Sequence, residues 1–174
     1  MGLSIKATAS NGGKTETNTV LSGVVTGQIA GLVMAVVVML VFTVLGKGPL
    51  FPVQVIGSAL LGESALQGTN FVAVLVGLIL HQLGPSLLWG SIFGLIATKV
   101  SINSTKKALS LGLIIGVVSM VGPYLLIPFV MHTMHGVDFW NREVPMFWDW
   151  AAHIVFGVSF VLYPMILNSL NNRK

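Results

Sequence analysis

Apolar residues run in four long blocks along this chain, at about 20–45, 71–98, 108–130 and 146–170. Between them, glycine, proline, amide and charged side chains gather in short stretches. A helix rises 1.5 Å per residue and a bilayer's hydrocarbon core is about 30 Å thick, so some 20 apolar residues suffice to cross it. Each block is long enough. The pattern predicts an all-α fold, a four-transmembrane-helix bundle. The block 71–98 would extend to about 42 Å, so it must tilt, kink or protrude, and Gly84-Pro85 supplies a kink because proline removes a backbone donor. VQVIGSALL, at 53–61, is apolar but too short to span and follows prolines at 49 and 52. It predicts an interfacial helix over about 51–61 on the outer side.

The polar remainder sets the domain plan. Residues 1–18, rich in Gly, Ser and Thr, are expected to be a disordered cytoplasmic tail, 19–170 a single four-span domain, and 171–174 a second cytoplasmic tail. Breakers at Gly122-Pro123 and Pro128 close the third block near Val130, and MHTMHGVDFWNREVP (131–145) reads as a polar, aromatic loop.

Small residues recur at four-residue spacing within the blocks, the pattern that lets membrane helices approach closely. Gly23, Gly27, Gly31 and Ala35 form a ridge on the first span. Gly90 and Gly94 pair on the second, Gly112 and Gly116 on the third. On a 3.6-residue period Gly77, His81, Gly84, Pro85 and Leu88 share another face of the second span.

Composition narrows the class. Only 8% of 174 residues are charged and 54% are hydrophobic, against about a quarter charged in soluble domains. The net charge of +4 implies no nucleic-acid partner, because the basic residues sit at block ends and are explained by topology. Lys6, Lys14, Lys99, Lys106, Lys107, Arg173 and Lys174 fall on one side, and only Lys47 and Arg142 on the other, with Glu63, Asp138, Glu143 and Asp149. Both termini are therefore expected in the cytoplasm, with Trp140, Trp148 and Trp150 as an outer aromatic belt. No cysteine is present, which removes disulfides, thiolate ligands and thiol nucleophiles.

The blocks read as two tandem hairpins. Spans one and three carry glycines four apart. Spans two and four each carry a histidine, His81 and His153, followed by glycine at 84 and 157. Counted from the outer ends, the histidines lie about 15 and 10 Å deep. Ionisable groups at that depth are costly and mark functional sites by default. Asp149, four residues before His153, can orient its imidazole or act as a second metal ligand. Met131, His132, Met134 and His135 combine thioether and imidazole, donors suited to copper. Paired carboxylates within a span, a phosphate loop, a Ser-His-Asp arrangement and rings of pore charges cannot be singled out, so an enzyme is not expected.

HQLGPSLLWG, with His81, Trp89 and Gly90, together with HIVFG at 153–157, resembles a family of uncharacterised small four-helix bacterial membrane proteins, known essentially as a domain of unknown function. The glycine-rich first span and PVQVIGSALLG are similar too, over about residues 20–168. The resemblance implies a four-span bundle in a bacterial inner membrane and weight on His81, Trp89, Gly90, His153 and Gly157. It implies no reaction, substrate or cofactor.

Three functions follow as expectations. The leading one is a non-enzymatic subunit of a membrane assembly, acting by helix association with itself or other membrane subunits. The alternative is an electron-transfer or metal-handling protein holding b-type haem between His81 and His153, or copper. The third is a small transporter or channel.

Overall fold

A computed structural model describes residues 3–172, all of whose regular structure is helical. Among these residues nine α-helices follow one another: α1 Leu3–Val44, α2 Phe51–Leu61, α3 Phe71–His81, α4 Leu87–Lys99, α5 Thr105–Val118, α6 Ile127–His135, α7 Phe139–Glu143, α8 Met146–Ser159 and α9 Tyr163–Asn171. Four continuous helical stretches are long and apolar enough to cross a membrane: Thr15–Val44, Phe71–Lys99, Thr105–His135 and Met146–Asn171.

Three of these stretches contain a break that leaves the helix running. Over Gln82–Ser86 and Gly122–Leu126 the backbone turns as a π-helix, and over Phe160–Leu162 as a 3-10 helix. Each lies at or beside a proline, Pro85, Pro123 or Pro164. Proline cannot donate to the carbonyl four residues back. At the first break the Ser86 hydroxyl donates to the His81 carbonyl instead, at 3.1 Å. The third stretch thus continues through Pro123 and Pro128 to His135, beyond the end expected at Val130. Residues 131–135, expected in a loop, form the last turns of this helix, which stops at Gly136 in the left-handed conformation, φ 70°.

At the other end of the chain, α1 begins at Leu3, so most of the expected disordered tail is helical backbone continuous with the first long stretch. No proline interrupts residues 3–44, and a nucleated helix extends by one hydrogen bond per residue. Residues 1, 2, 173 and 174 of the expected tails lie outside the described residues.

The short helix α2 differs most from expectation. Seven of its 11 residues are buried, Pro52, Val53, Gln54, Val55, Gly57, Ser58 and Ala59. It packs antiparallel on α3, with Gly57 against the Ala73 carbonyl and Gly77 against the Val53 carbonyl. Backbones approach this closely only because neither glycine carries a Cβ. Gln54 donates to the carbonyls of Ala65 and Gly68, at 2.7 and 2.9 Å, fixing the return loop. Its buried face packs among α1, α3, α6 and α7, while Leu60 stays exposed.

The molecule has two distinct ends. At the Lys99 end, Phe93, Phe156, Phe160 and Tyr163 form the centre of a core with Ala30, Ala97, Ala108 and Ile115. Phe93 stacks on Phe160 with ring centroids 4.5 Å apart. At the α7 end, Phe42, Val55 and Val144 make one apolar cluster and Ala59, Met131 and Phe139 another.

Candidate functional site

Two glycine seams position the site. In the first hairpin, a Cβ on Gly23 would lie 2.5 Å from Gly94 Cα, and one on Gly27 2.5 Å from both Gly90 Cα and the Ser86 carbonyl. In the second, a Cβ on Gly116 would lie 2.5 Å from the His153 carbonyl and 3.2 Å from Gly157 Cα, and Gly112 meets the Gly157 carbonyl. The two patterns coincide when Gly27 is matched with Gly116, Gly90 with Gly157, and Ser86 with His153. Gln82, one turn before Ser86, then matches Asp149. The expected match of His81 with His153 and Gly84 with Gly157 is off register: Gly84 faces open space, and the π-helical turn alters the face on which it falls.

The matched positions carry different chemistry. In the first hairpin they form a neutral network: Gln82 Nε2 donates to Gln28 Oε1 at 3.2 Å, Gln28 Nε2 to the Gln82 carbonyl at 3.0 Å, and Ser86 Oγ to Gln82 Oε1 at 3.1 Å. Gly31 lies beside Ser86 and Gln82, leaving them room. In the second hairpin the matched pair is ionisable. Asp149 and His153 are 5% and 7% exposed, on one face of α8.

Hydrogen bonding fixes much of the protonation of this pair. Met120 N–H bonds to Val117 rather than to the Gly116 carbonyl, which instead takes the Ser119 hydroxyl at 2.7 Å. With its only proton committed there, Ser119 Oγ accepts from His153 Nδ1–H at 2.6 Å. His153 Nε2 then faces Asp149 Oδ1 at 3.6 Å, within ion-pair range. The other carboxylate oxygen, Oδ2, accepts from the Trp140 indole N–H at 3.1 Å. A lone pair on Nε2 facing an ionised carboxylate would be repelled. One proton on the pair, on either member, makes the contact attractive.

Beside Asp149 is a cavity of about 50 Å³, lined by Met34, Ala35 and Val38 of α1, Val53 of α2, His81 of α3, Trp140 of α7, and Asp149 and Ala152 of α8. It therefore lies between the two hairpins. His81 borders it and bonds through Nδ1 to Gln82 Oε1 at 3.3 Å. His153 does not border it.

Above the cavity, four charged groups join the hairpins at the α7 end. Lys47 Nζ lies 2.9 Å from Glu143 Oε2, and Arg142 reaches Glu63 at 2.8 and 3.2 Å and Glu143 Oε1 at 2.9 Å. The Arg142 hydrogen bond holds the Glu63 carboxyl below the usual glutamate range. Partial burial raises that of Glu143, but bonds from Lys47 and Arg142 outweigh it, and the net displacement is downward. Lys99, Lys106 and Lys107, at the other end, make no ion pair among the described residues.

Haem does not fit this arrangement. His81 lines the cavity but His153 does not, His153 has Nδ1 committed to Ser119 and Nε2 set against Asp149, and 50 Å³ is far below the roughly 300 Å³ of the smallest ordinary ligand pockets. The copper set is not assembled either. Met131 is fully buried and accepts from the Trp140 backbone N–H, His135 Nε2 is 3.1 Å from the Ala59 carbonyl, and His132 and Met134 are exposed. Among the described residues, no three His, Asp or Glu side chains gather as a metal site. Trp89 packs against the aromatic core, away from the cavity.

Sequence reasoning missed Ser119, Trp140 and Gln82 as site residues. Ser119 was discoverable in principle, since it stands three residues beyond Gly116 on a span already read as packing closely. Trp140 carried no such signal. No protein-family model matches the chain, and neither a curated protein nor a solved structure matches it.

Proposed function

We propose that the protein is a four-span membrane protein that carries protons, alone or coupled to a solute, through an intramembrane centre of Asp149, His153 and Ser119 facing His81. The observation that carries this reading is the buried carboxylate–imidazole pair Asp149–His153, 3.6 Å apart on one face of an apolar helix. Ionisable groups kept at membrane depth mark proton relays and ion pathways. Helices broken near the level of a site, with the site between two repeats, belong to transporters that rock one repeat against the other. The two hairpins are each zipped by glycines and meet at the cavity, an arrangement suited to such rocking. Phe93 on Phe160 closes the Lys99 side, and α7 closes the other.

Membrane insertion is supported by the four long apolar helices, and cytoplasmic termini by the lysines at the Lys99 end, which make no ion pair among the described residues, against ion-paired Lys47 and Arg142. The α7 side is then the outer side. Association through the glycine ridge of α1 has less support, because Gly23, Gly27 and Gly31 are occupied by the chain's own second span.

The test is proton flux into liposomes containing the purified protein and a trapped pH dye, driven by a potassium diffusion potential. Flux above that of empty liposomes, removed by Asp149→Asn, is expected. Flux no different from empty liposomes, or untouched by Asp149→Asn, overturns the proposal.

A further inference from the structure

We infer that α7 is the outer gate of the cavity, latched by the ion pairs that Lys47 and Glu63 of the first hairpin make with Glu143 and Arg142 of the second. The inference rests on Asp149 being the working group of the proposed centre, and adds how that group is reached.

Three observations converge on α7. Its inner face carries Trp140, whose indole both lines the cavity and donates to Asp149 Oδ2. Its outer face carries Arg142 and Glu143, which make all the ion pairs between the hairpins found among the described residues. One short helix thus holds the acid below and the latch above. Displacing it uncouples both at once: the carboxylate loses its indole partner as the clasp parts.

The segment is built to move as a unit. Asp138 caps it, accepting from Asn141 N–H at 3.1 Å, so the turn keeps its own hydrogen bonding when detached. On one side Gly136 stands at φ 70°, and on the other Pro145 precedes α8. Those two positions are the natural hinges. The latch itself is solvent-facing, with side-chain exposures of 41% for Lys47 and Arg142, 59% for Glu63 and 20% for Glu143. Pairs this exposed break readily and weaken with salt. The apolar contact of Phe139 with Met131 and Ala59 must part as well, which keeps the resting state closed. At the other end, among the described residues, the aromatic core of Phe93, Phe156, Phe160 and Tyr163 lies toward the Lys99 side.

The chain lacks cysteine, so a single introduced thiol reports access without background. Ala152 lines the cavity and is 4% exposed, and Ala152→Cys places a thiol there. The protein in liposomes is treated from outside with a membrane-impermeant maleimide and the labelling rate is measured. Labelling is expected to be slow at low salt, and to rise roughly 3- to 10-fold with Arg142→Gln or in molar salt, the factor set by losing one or two exposed pairs. The conservative Arg142→Lys, which keeps a cation between Glu63 and Glu143, is expected to restore slow labelling, which a variant that merely failed to fold would not do. A rate indifferent to Arg142→Gln and to salt, or one that Arg142→Lys leaves fast, overturns the gate. Gated labelling in a protein without proton flux keeps the gate and removes the transport reading. Ungated labelling with Asp149-dependent flux does the reverse.

Discussion

Ser119 shows how much a single hydroxyl can decide. Its proton goes to the Gly116 carbonyl, so its oxygen is left as the acceptor for His153, and that choice turns Nε2 toward Asp149. Ser119→Ala removes the acceptor and leaves a buried imidazole N–H without a partner. A buried group stranded in this way costs about 1–3 kcal/mol. Thermal unfolding in detergent is expected to shift down accordingly, while Ser119→Thr, which keeps the hydroxyl, shifts it less. Equal melting of both variants would show that the hydroxyl is not what holds the ring. Trp140 acts from the other side, and Trp140→Phe is expected to keep the apolar cover while releasing Asp149 Oδ2. The measurement is the pH profile of flux: Trp140→Phe should alter it, and should also lower the melting temperature because a buried carboxylate oxygen loses its donor; an unchanged profile would show that the indole does not act on Asp149.

Among the helices, the seams matter more than the breaks. A Cβ at Gly27 meets backbone on two sides, at 2.5 Å from Gly90 Cα and the Ser86 carbonyl, and backbone cannot step aside as a side chain can. Gly27→Ala is therefore expected to destabilise by about 1–3 kcal/mol through overpacking. Gly84 lies in the broken part of the second long helix yet faces nothing within 4 Å. Gly84→Ala is expected to be neutral or to stabilise by up to about 1 kcal/mol, the usual helix-interior difference between the two residues. Melting both variants in the same detergent checks the pair of expectations, and a Gly84→Ala as damaging as Gly27→Ala would mean that the seam has been misplaced.

For the molecule as a whole, acid should loosen the α7 end first. Glu63 and Glu143 titrate below their ordinary value of 4.5 because Arg142 and Lys47 favour the charged forms. Carboxyls depressed in the folded state stabilise it fully above the unfolded value, and that contribution fades as pH falls through the folded one. Stability is expected to hold near neutrality and to decline below about pH 4.5. Arg142→Gln, whose carboxyls have less to lose, should decline less steeply over the same range. Limited proteolysis near residues 136–145 across that range measures it directly, and identical profiles for the two proteins would remove the clasp as the cause.

Hydropathy alone determined that this chain makes four long apolar helices with a short fifth between the first two, because apolar run length is a local property that no tertiary contact overrides. The sequence pattern also singled out the glycines at 23, 27, 90, 94, 112 and 116, since small residues four apart on one helix face are visible in one dimension; Gly157 stood out only as the glycine that follows His153. Three things were left to tertiary structure. Whether a proline ends a helix or merely bends it depends on what else satisfies the freed carbonyl, and at Pro85 the Ser86 hydroxyl does so. Whether a short apolar helix lies on a surface or inside depends on its neighbours, and Gly77 opened a place for α2. Which histidine meets which acid depends on helix register: the seams set Ser86 opposite the place of His153, drew Ser119 and Trp140 into the site, and left His81 across the cavity rather than as the partner that its own sequence motif suggested. Register is a relation between helices, set by backbone contact at glycine, and a single strand of sequence does not contain it.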